Sequence, residues 1–407
     1  MKFFIIGGYT CGNPGDEAIL KSTIYYLHER FPKSFFYIWN DNKDFTVQFD
    51  RSVRHRFVFW KLPRWMYLNN LLTKITVKLY TDLFPFSKTL ISALNRPPVK
   101  LVHALRDSDK AIFLGGGYLN SYYSLLKMNF LASWIKAHNK PLLLFGQTLG
   151  PFVKATHARI ASEIFSIAET IVLRDHHSEK EVVNFQEKVL YGVDDAVGFS
   201  PKLEARVQSV VDPYFKEDGP DVVHWGLNLR QWDDSRDYYP QIARAMESAA
   251  RAFPEFRIKW LFLPMETSQY CDDRREAAEL FRHLGKHCDL TVVREELSVE
   301  AKSYFLSRLD LFLGMRLHSL VFALNSGVPT IGLYHNEYYR RKICGVLKSF
   351  GVEACSLSLQ ETQSLPDLIA RIMDTRDSYK TMILGNKSSI MDRQQRMLEN
   401  VLQGSSA

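Results

Sequence analysis

At 407 residues, 46% of them hydrophobic, the chain exceeds what one ordinary core holds, and two domains are expected. The 52 Lys and Arg against 45 Asp and Glu give a formal charge of +7, which favours anionic partners, yet the basic residues are dispersed and show no nucleic-acid-binding signature. No run of about 18 uncharged apolar residues argues for a spanning helix, and five scattered cysteines fit a reducing cytoplasm without disulfides.

The opening MKFFIIGGYT lacks the basic start and cleavage site of a signal peptide and reads as a first strand. It runs into GGYTCGNPGDEAIL, residues 7–20. There Gly12, Pro14 and Gly15 suit a tight turn, and Asp16 is expected to cap a helix that Glu17 opens, continued on one face by Leu20, Ile24, Leu27 and Phe31. Asn13 and Asp16 stand where they orient a sugar hydroxyl or accept its proton. The spacing is neither a Walker A loop nor the dinucleotide fingerprint.

Residues 58–95 are aromatic, basic and interrupted by prolines, with Trp60, Trp65, Leu68 and Leu72 beside Lys61, Arg64, Lys74 and Lys78. That pattern suits a membrane surface and the core packing of an inserted helix equally well. Three turns follow, each after an apolar run. In FLGGGYL (113–119), Gly116 and Gly117 permit close backbone approach to a ligand, or tight packing of the next helix. FGQTLGPF (145–152) and LRDHHSEKE (173–181) put Gln147, Arg174, Asp175 and Ser178 just after strands, lining one rim if the sheet is parallel; Asp175 also suits a helix cap.

The second half repeats the style with HWGLNLR, RIKWLFLP, DLTVV, DLFLG and VPTIGL. Such alternation predicts an α/β fold of two Rossmann-like domains, each an open parallel sheet covered by helices, facing a cleft. Residues 1–205 form the expected first domain and 222–375 the second; the linker is 200–221, with two prolines and mixed charge, and 376–407 form a helix packing back on the first domain. Arg230 ends a strand, where a guanidinium is costly to bury without an anion or carboxylate. In MRLHSLVFALNSGVPTIGLY (315–334), Arg316 and His318 stand at a strand-to-helix turn; Leu317, Leu320, Val321 and Leu324 follow at helical spacing, with Gly327 as the stop. A helix N-terminus beside an arginine suits a phosphate or carboxylate, and an imidazole there suits acid or base work near neutral pH. Arg230 and Arg316 are expected to share one cationic pocket for a molecule carrying both anionic groups. His283 and His287 have i, i+4 spacing but no third ligand, so no metal is expected.

Taken in order, GNPGDEAIL, FLGGGYL, GQTLGPF, LRDHHS, GVDDAVGF, LNLRQW and GMRLHSLVFALNSGVP resemble the polysaccharide pyruvyl transferase family, over islands that run from Gly12 to Pro329. The resemblance implies a GT-B-like glycosyltransferase architecture. It also implies transfer of a pyruvyl group from phosphoenolpyruvate, a donor substrate and not a cofactor, to a sugar of a bacterial exopolysaccharide or its lipid-linked precursor, leaving a pyruvate ketal and phosphate. By motif, Asp16 serves the acceptor on the first domain, while Arg174, Arg230, Arg316 and His318 bind or activate the donor. Asn13, Gly116, Gly117 and Gln147 complete the expected site, in a protein expected in the cytoplasm, with contact at the inner face of the membrane as one of the two readings of residues 58–95. The chain departs from the family at LYHNEYYRRKI (333–343), where a Tyr-Asp-Pro-Lys-like stretch is common. Arg341, with Arg340 and Lys342 as neighbours, is the candidate for the missing positive charge. Two other readings suit the same architecture: a nucleotide-sugar glycosyltransferase, which needs a diphosphate and ribose site, and a non-catalytic glycan-binding or assembly protein.

Overall fold

Strands buried on both faces need no polar alternation, and the short apolar runs of this chain become the centres of two parallel sheets. The computed structural model describes residues 1–7, 13–40, 47–59, 98–216, 219, 221–231, 235–267, 271–285 and 288–403. They fall into two compact units, Met1–Tyr9 with Ile19–Asp194, and Thr10–Ala18 with Asp195–Ala407.

In the first unit, β1 (Lys2–Ile6), β2 (Phe35–Asn40), β3 (Arg54–Phe59), β4 (Lys110–Phe113), β5 (Gly116–Leu119), β6 (Leu142–Leu149), β7 (Thr170–Leu173) and β8 (Val189–Tyr191) form one sheet. Its order is β3-β2-β1-β4-β6-β7-β8, with β5 alongside β6. Phe3 to Ile6 of β1 are wholly buried. The helices Leu125–Ala137 and Ala155–Ile167 bring Leu131, Ala132, Ile135, Ile160, Ala161 and Ile164 into the same core.

The second unit carries β9 (Val222–Asn228), β10 (Arg257–Phe262), β11 (Asp289–Val292), β12 (Leu311–Gly314), β13 (Thr330–Tyr334) and β14 (Ser356–Ser358), all parallel, in the order β11-β10-β9-β12-β13-β14. Chain direction across the sheet reverses between β9 and β12, where Asn228 and Gly314 pair. Ligands of doubly wound folds bind beyond the strand ends at such a reversal. Gly327 ends the helix Leu317–Asn325 as expected, at φ +74°, a conformation that costs glycine little.

The boundaries differ from the expected ones in three places. Residues 13–18 belong with the second unit although the strand before them belongs with the first. Residues 200–221 are not a bare linker, because the helix Ala205–Val211 buries Val207 and Val211 and the second unit already begins at Asp195. The final helix, Arg376–Gln403, is part of the second unit. There the Lys387 ammonium donates to the Asn325 carbonyl at 2.8 Å and the Gln394 amide to Asp195 at 3.0 Å. Strands β3, β5 and β14 escape an apolar-run reading for separate reasons: β3 alternates Arg54 and Arg56 with partners facing inward, β5 opens on two glycines, and β14 is three residues long. The aromatic, basic segment lies outside the described residues from position 60 to 97, as do Cys11 and His287. Among the described residues, no helix is long and apolar enough to cross a membrane.

Close packing at the centre of the second sheet is testable at Gly226, where a Cβ would meet the Leu309 side chain and come within 2.9 Å of Phe312 Cδ2. Gly226→Ala should cost roughly 1–3 kcal/mol through overpacking. The check is the urea unfolding midpoint, and an unchanged midpoint would contradict this packing.

Candidate active site

The segment NPGD builds the start of the helix Pro14–Arg30. Asn13 Oδ1 accepts the Gly15 N–H at 3.0 Å, and Pro14 takes the first helical position, where its missing N–H is no loss. The cap is therefore Asn13 and not Asp16, because the helix opens three residues earlier than a start at Glu17 requires. Asp16 stands in the first turn beside Glu17, at the positive end of the helix dipole.

Gly15 is where the two strongest sequence motifs meet. A Cβ at Gly15 would fall inside the His318 imidazole, 2.5 Å from Cε1. Only a residue without a side chain lets the ring lie against this turn. His318 itself is in the first turn of the helix Leu317–Asn325, whose N-cap residue, Arg316, makes no side-chain cap. Two helix N-termini thus converge at one imidazole, within the second unit. Arg230 and Arg316 follow the adjacent strands β9 and β12, and the Met315 N–H donates to the Asn228 carbonyl at 3.1 Å.

Arg316 does not offer the bare cation that the sequence suggested. Its side chain is 11% exposed and ion-paired with Glu266 at 2.8 Å and with Asp273, and it donates to Cys271 Sγ at 3.1 Å. Asp273, 1% exposed, also accepts the backbone N–H groups of Met265 at 3.0 Å and Glu266 at 3.1 Å, and the Asn228 amide at 3.3 Å. A buried guanidinium without counter-charge costs several kcal/mol, so the expected cationic pocket is charge-balanced on this side. Beside it lies Lys302, 5% exposed, whose ammonium donates to the Met265 carbonyl at 2.9 Å. Burial pushes its pKa down to about 8 against the pull of Asp273, Glu296 and Glu17, with Arg316 adding to the downward push. Sequence reasoning missed Glu266, Asp273 and Lys302. The first two follow β10, the same strand-end position that drew attention to the arginines. Lys302 has no such signal, since a lysine in mid-helix ordinarily faces solvent.

The residues expected to rim the first sheet form a brace instead. Arg174 is 7% exposed and paired at 2.6 Å with Asp194, 1% exposed. Its Nε donates to Thr148 Oγ1 at 2.7 Å, and that hydroxyl donates to Asp175 at 2.7 Å. Asp175 accepts the Ser178 N–H and hydroxyl, both at 3.0 Å, which makes it the cap that its position suggested. Gln147 lies inside β6 and is fully buried, donating to the carbonyls of Leu114 at 2.5 Å and Phe145 at 2.8 Å. It faces Gly116, at φ +150°, across the β5–β6 register, and Gly117 follows in β5. These side chains are engaged because a parallel sheet leaves its strand ends with polar groups that must be bonded somewhere.

Of the expected residues, Asn13, Asp16, Arg230, Arg316, His318 and Arg341 belong to the second unit, and Gly116, Gly117, Gln147 and Arg174 to the first. Arg341 lies on the exposed side of the helix Glu337–Ser349, paired with Glu337 at 2.8 Å. Hydrogen bonds from Arg340 and Arg341 hold the Glu337 carboxyl down to about 2. The candidate proposed for the charge missing from the family pattern is thus engaged in an ion pair with Glu337. Among the described residues, no three His, Cys, Asp or Glu are grouped as metal ligands.

Residues 13–337 match the family described as polysaccharide pyruvyl transferase. Amylovoran biosynthesis protein AmsJ of Erwinia amylovora is 26% identical over 433 residues, covering 95% of this chain and 98% of that one. In fold the chain is similar to a UDP-GlcNAc 2-epimerase from Neisseria meningitidis solved with UDP-GlcNAc (TM-score 0.59, 14% identity, 98% of this chain and 100% of that one). It is also similar to Phytolacca americana UGT2, solved with UDP-2fluoro-glucose and pterostilbene (TM-score 0.56, 12% identity, 100% of each chain). At these identities the likeness is one of fold, and it is the GT-B-like α/β class expected from the sequence.

Two substitutions test this geometry. Gly15→Ala should shift the His318 ring signals in an imidazole 1H–15N spectrum, whereas Gly345→Ala, where a Cβ meets nothing within 4 Å, should leave them in place; equal spectra for both would refute the contact. Asp194→Asn should lower the unfolding free energy by roughly 3–5 kcal/mol, the range for breaking a buried pair, read from urea melts, and a loss below about 1 kcal/mol would mean that Arg174 is not held this way.

Proposed function

Since this chain belongs to the polysaccharide pyruvyl transferase family, we propose that it moves a pyruvyl group from phosphoenolpyruvate to a sugar of a bacterial exopolysaccharide or its lipid-linked precursor, closing a pyruvate ketal and releasing phosphate. The observation that carries this reading is the convergence of two helix N-termini at His318, with Arg316 at the turn. Helix N-termini attract anions, and an imidazole between them is placed to donate a proton. The amylovoran biosynthesis protein supports an exopolysaccharide as the acceptor class, and a lipid-linked acceptor would set the work at the inner face of the cytoplasmic membrane.

The chemistry assigns the roles. His318 protonates the donor methylene, a new C–H bond forms, and positive character develops on the carbon that carries the phosphate and carboxylate. A sugar hydroxyl attacks that carbon and loses its proton to Asp16. The C–O bond to phosphate then breaks, and a second hydroxyl closes the ring. Of the two hydroxyl protons released, one balances the proton placed on the methylene and the other leaves with phosphate. Arg230 holds an anionic group of the donor through this sequence, beside Arg316, whose charge Glu266 and Asp273 already balance and which fixes the turn; fixed donors do most against developing charge. The balance needs no metal and no cofactor.

Calorimetric titration with phosphoenolpyruvate should show saturable binding that excess UDP-glucose does not displace. His318→Ala should bind the donor within about tenfold of wild type while phosphate release falls by roughly 10²–10⁴, the usual worth of a general acid. Displacement of the donor by UDP-glucose, or normal turnover in His318→Ala, would sink the reading and leave a nucleotide-sugar glycosyltransferase as the better account.

A further inference from the structure

The turn after β10 is held from three directions. Asp273 takes the backbone N–H groups of Met265 and Glu266 at 3.0 and 3.1 Å, Arg316 grips the Glu266 carboxylate at 2.8 Å, and Lys302 binds the Met265 carbonyl at 2.9 Å. The Glu266 and Asp273 carboxylates that pair with Arg316 are themselves tied to this turn. The Lys302 grip is unusual in kind. A neutral side chain would serve a carbonyl as well, and burying an ammonium is expensive unless its charge is used. The helix Val299–Ser307 that carries it is capped by Ser298, whose hydroxyl accepts the Ala301 N–H at 3.2 Å, so the Lys302 backbone is set independently of its side chain.

We propose that Lys302 is a positioning residue for the anionic donor, clamping the Met265–Glu266 turn under Arg316 and supplying the positive charge that lets an anion approach a cluster rich in carboxylates. The inference rests on the donor reading given above. The charged groups around Lys302 are Arg316 from the turn after β12, Asp273 from the loop after β10, Glu296 from the segment before its own helix, and Glu17 from the first turn of the helix Pro14–Arg30. With the ammonium charged, Lys302 and Arg316 stand among the carboxylates of Asp273, Glu266, Glu296 and Glu17; once it is neutral, Arg316 alone opposes them and the repulsion of an approaching anion grows.

The sign of the pH dependence follows. A lysine ordinarily titrates at 10.5, and burial brings Lys302 to about 8, so its charge is present at neutral pH and disappears in an accessible alkaline range. Above about pH 8 the dissociation constant for an anion should rise towards tenfold per pH unit, because each unit removes a further factor of ten of the protonated form. Cys271, against Arg316, is the neighbouring thiol to control for; burial raises it, with Arg316 opposing.

The test is calorimetric titration with phosphoenolpyruvate, and separately with sulfate, between about pH 7 and 9.5, on wild type and on Lys302→Arg, Lys302→Met and Cys271→Ser. Wild type and Cys271→Ser should lose affinity above about pH 8. Lys302→Arg, whose charge persists, should stay tight across the range, and Lys302→Met should be weak throughout, by about tenfold at pH 7, with no alkaline decline. Thermal melts identify any variant that fails to fold, and the arginine variant keeps the inference falsifiable if the methionine variant does. An alkaline decline that survives in both lysine variants, or wild type that binds neither anion, overturns the role of Lys302. Sulfate binding with the expected dependence, but no binding of phosphoenolpyruvate, would instead overturn the donor reading and leave Lys302 as an anion-site residue.

Discussion

A guanidinium buried at the carboxyl edge of the second sheet is the constraint around which the site is arranged. Arg316 cannot lie at 11% exposure without counter-charge, and the protein supplies Asp273 and Glu266 from the neighbouring strand end. Asp273 in turn is usable only because its remaining oxygen is filled by two backbone N–H groups and an amide. Each group is therefore placed by the one before it, and the turn that presents His318 inherits this rigidity. An interior of low polarity strengthens such a network when every member is bonded.

The second dependency is one of space. Gly15 leaves room for the His318 ring, and the residues around it, although they follow the first strand of the chain, count with the second unit. The family pattern thus has a physical meaning beyond its letters. In this chain Gly15 of the first motif stands where the His318 ring of the last motif occupies the space, and Asn13 accepts from the first turn of the helix that Pro14 opens. Asp16 follows Gly15 in the first turn of the same helix.

In the first unit the polar residues at the strand ends satisfy one another. Arg174, Asp194, Thr148, Asp175 and Ser178 form one chain of hydrogen bonds that ties the ends of β6 and β7 to the turn His176–Glu181. Gln147 does the same for the triple-glycine turn. These residue types at strand ends suggest ligand binding from sequence, yet a buried polar group must find a partner whether or not a ligand exists.

The amino-acid sequence by itself determined the α/β class, most of the strands, the helix after Arg316 and the family, because apolar runs, turn residues and motif order are local properties of the chain. It also placed Arg230, Arg316 and His318 at strand ends correctly, since that requires only the alternation of elements. Only the tertiary structure decided which charges are already paired, among them Arg174 with Asp194, Arg316 with Asp273 and Glu266, and Arg341 with Glu337. It alone brought Gly15 to His318 and buried Lys302 beside Asp273. The reason is that pairing depends on the assembled fold: Gly15 and His318 lie far apart in the chain, Lys302 turns inward from mid-helix, and even the short-range pairs of Arg174 and Arg341 are choices among several nearby carboxylates, none of which leaves a periodic trace.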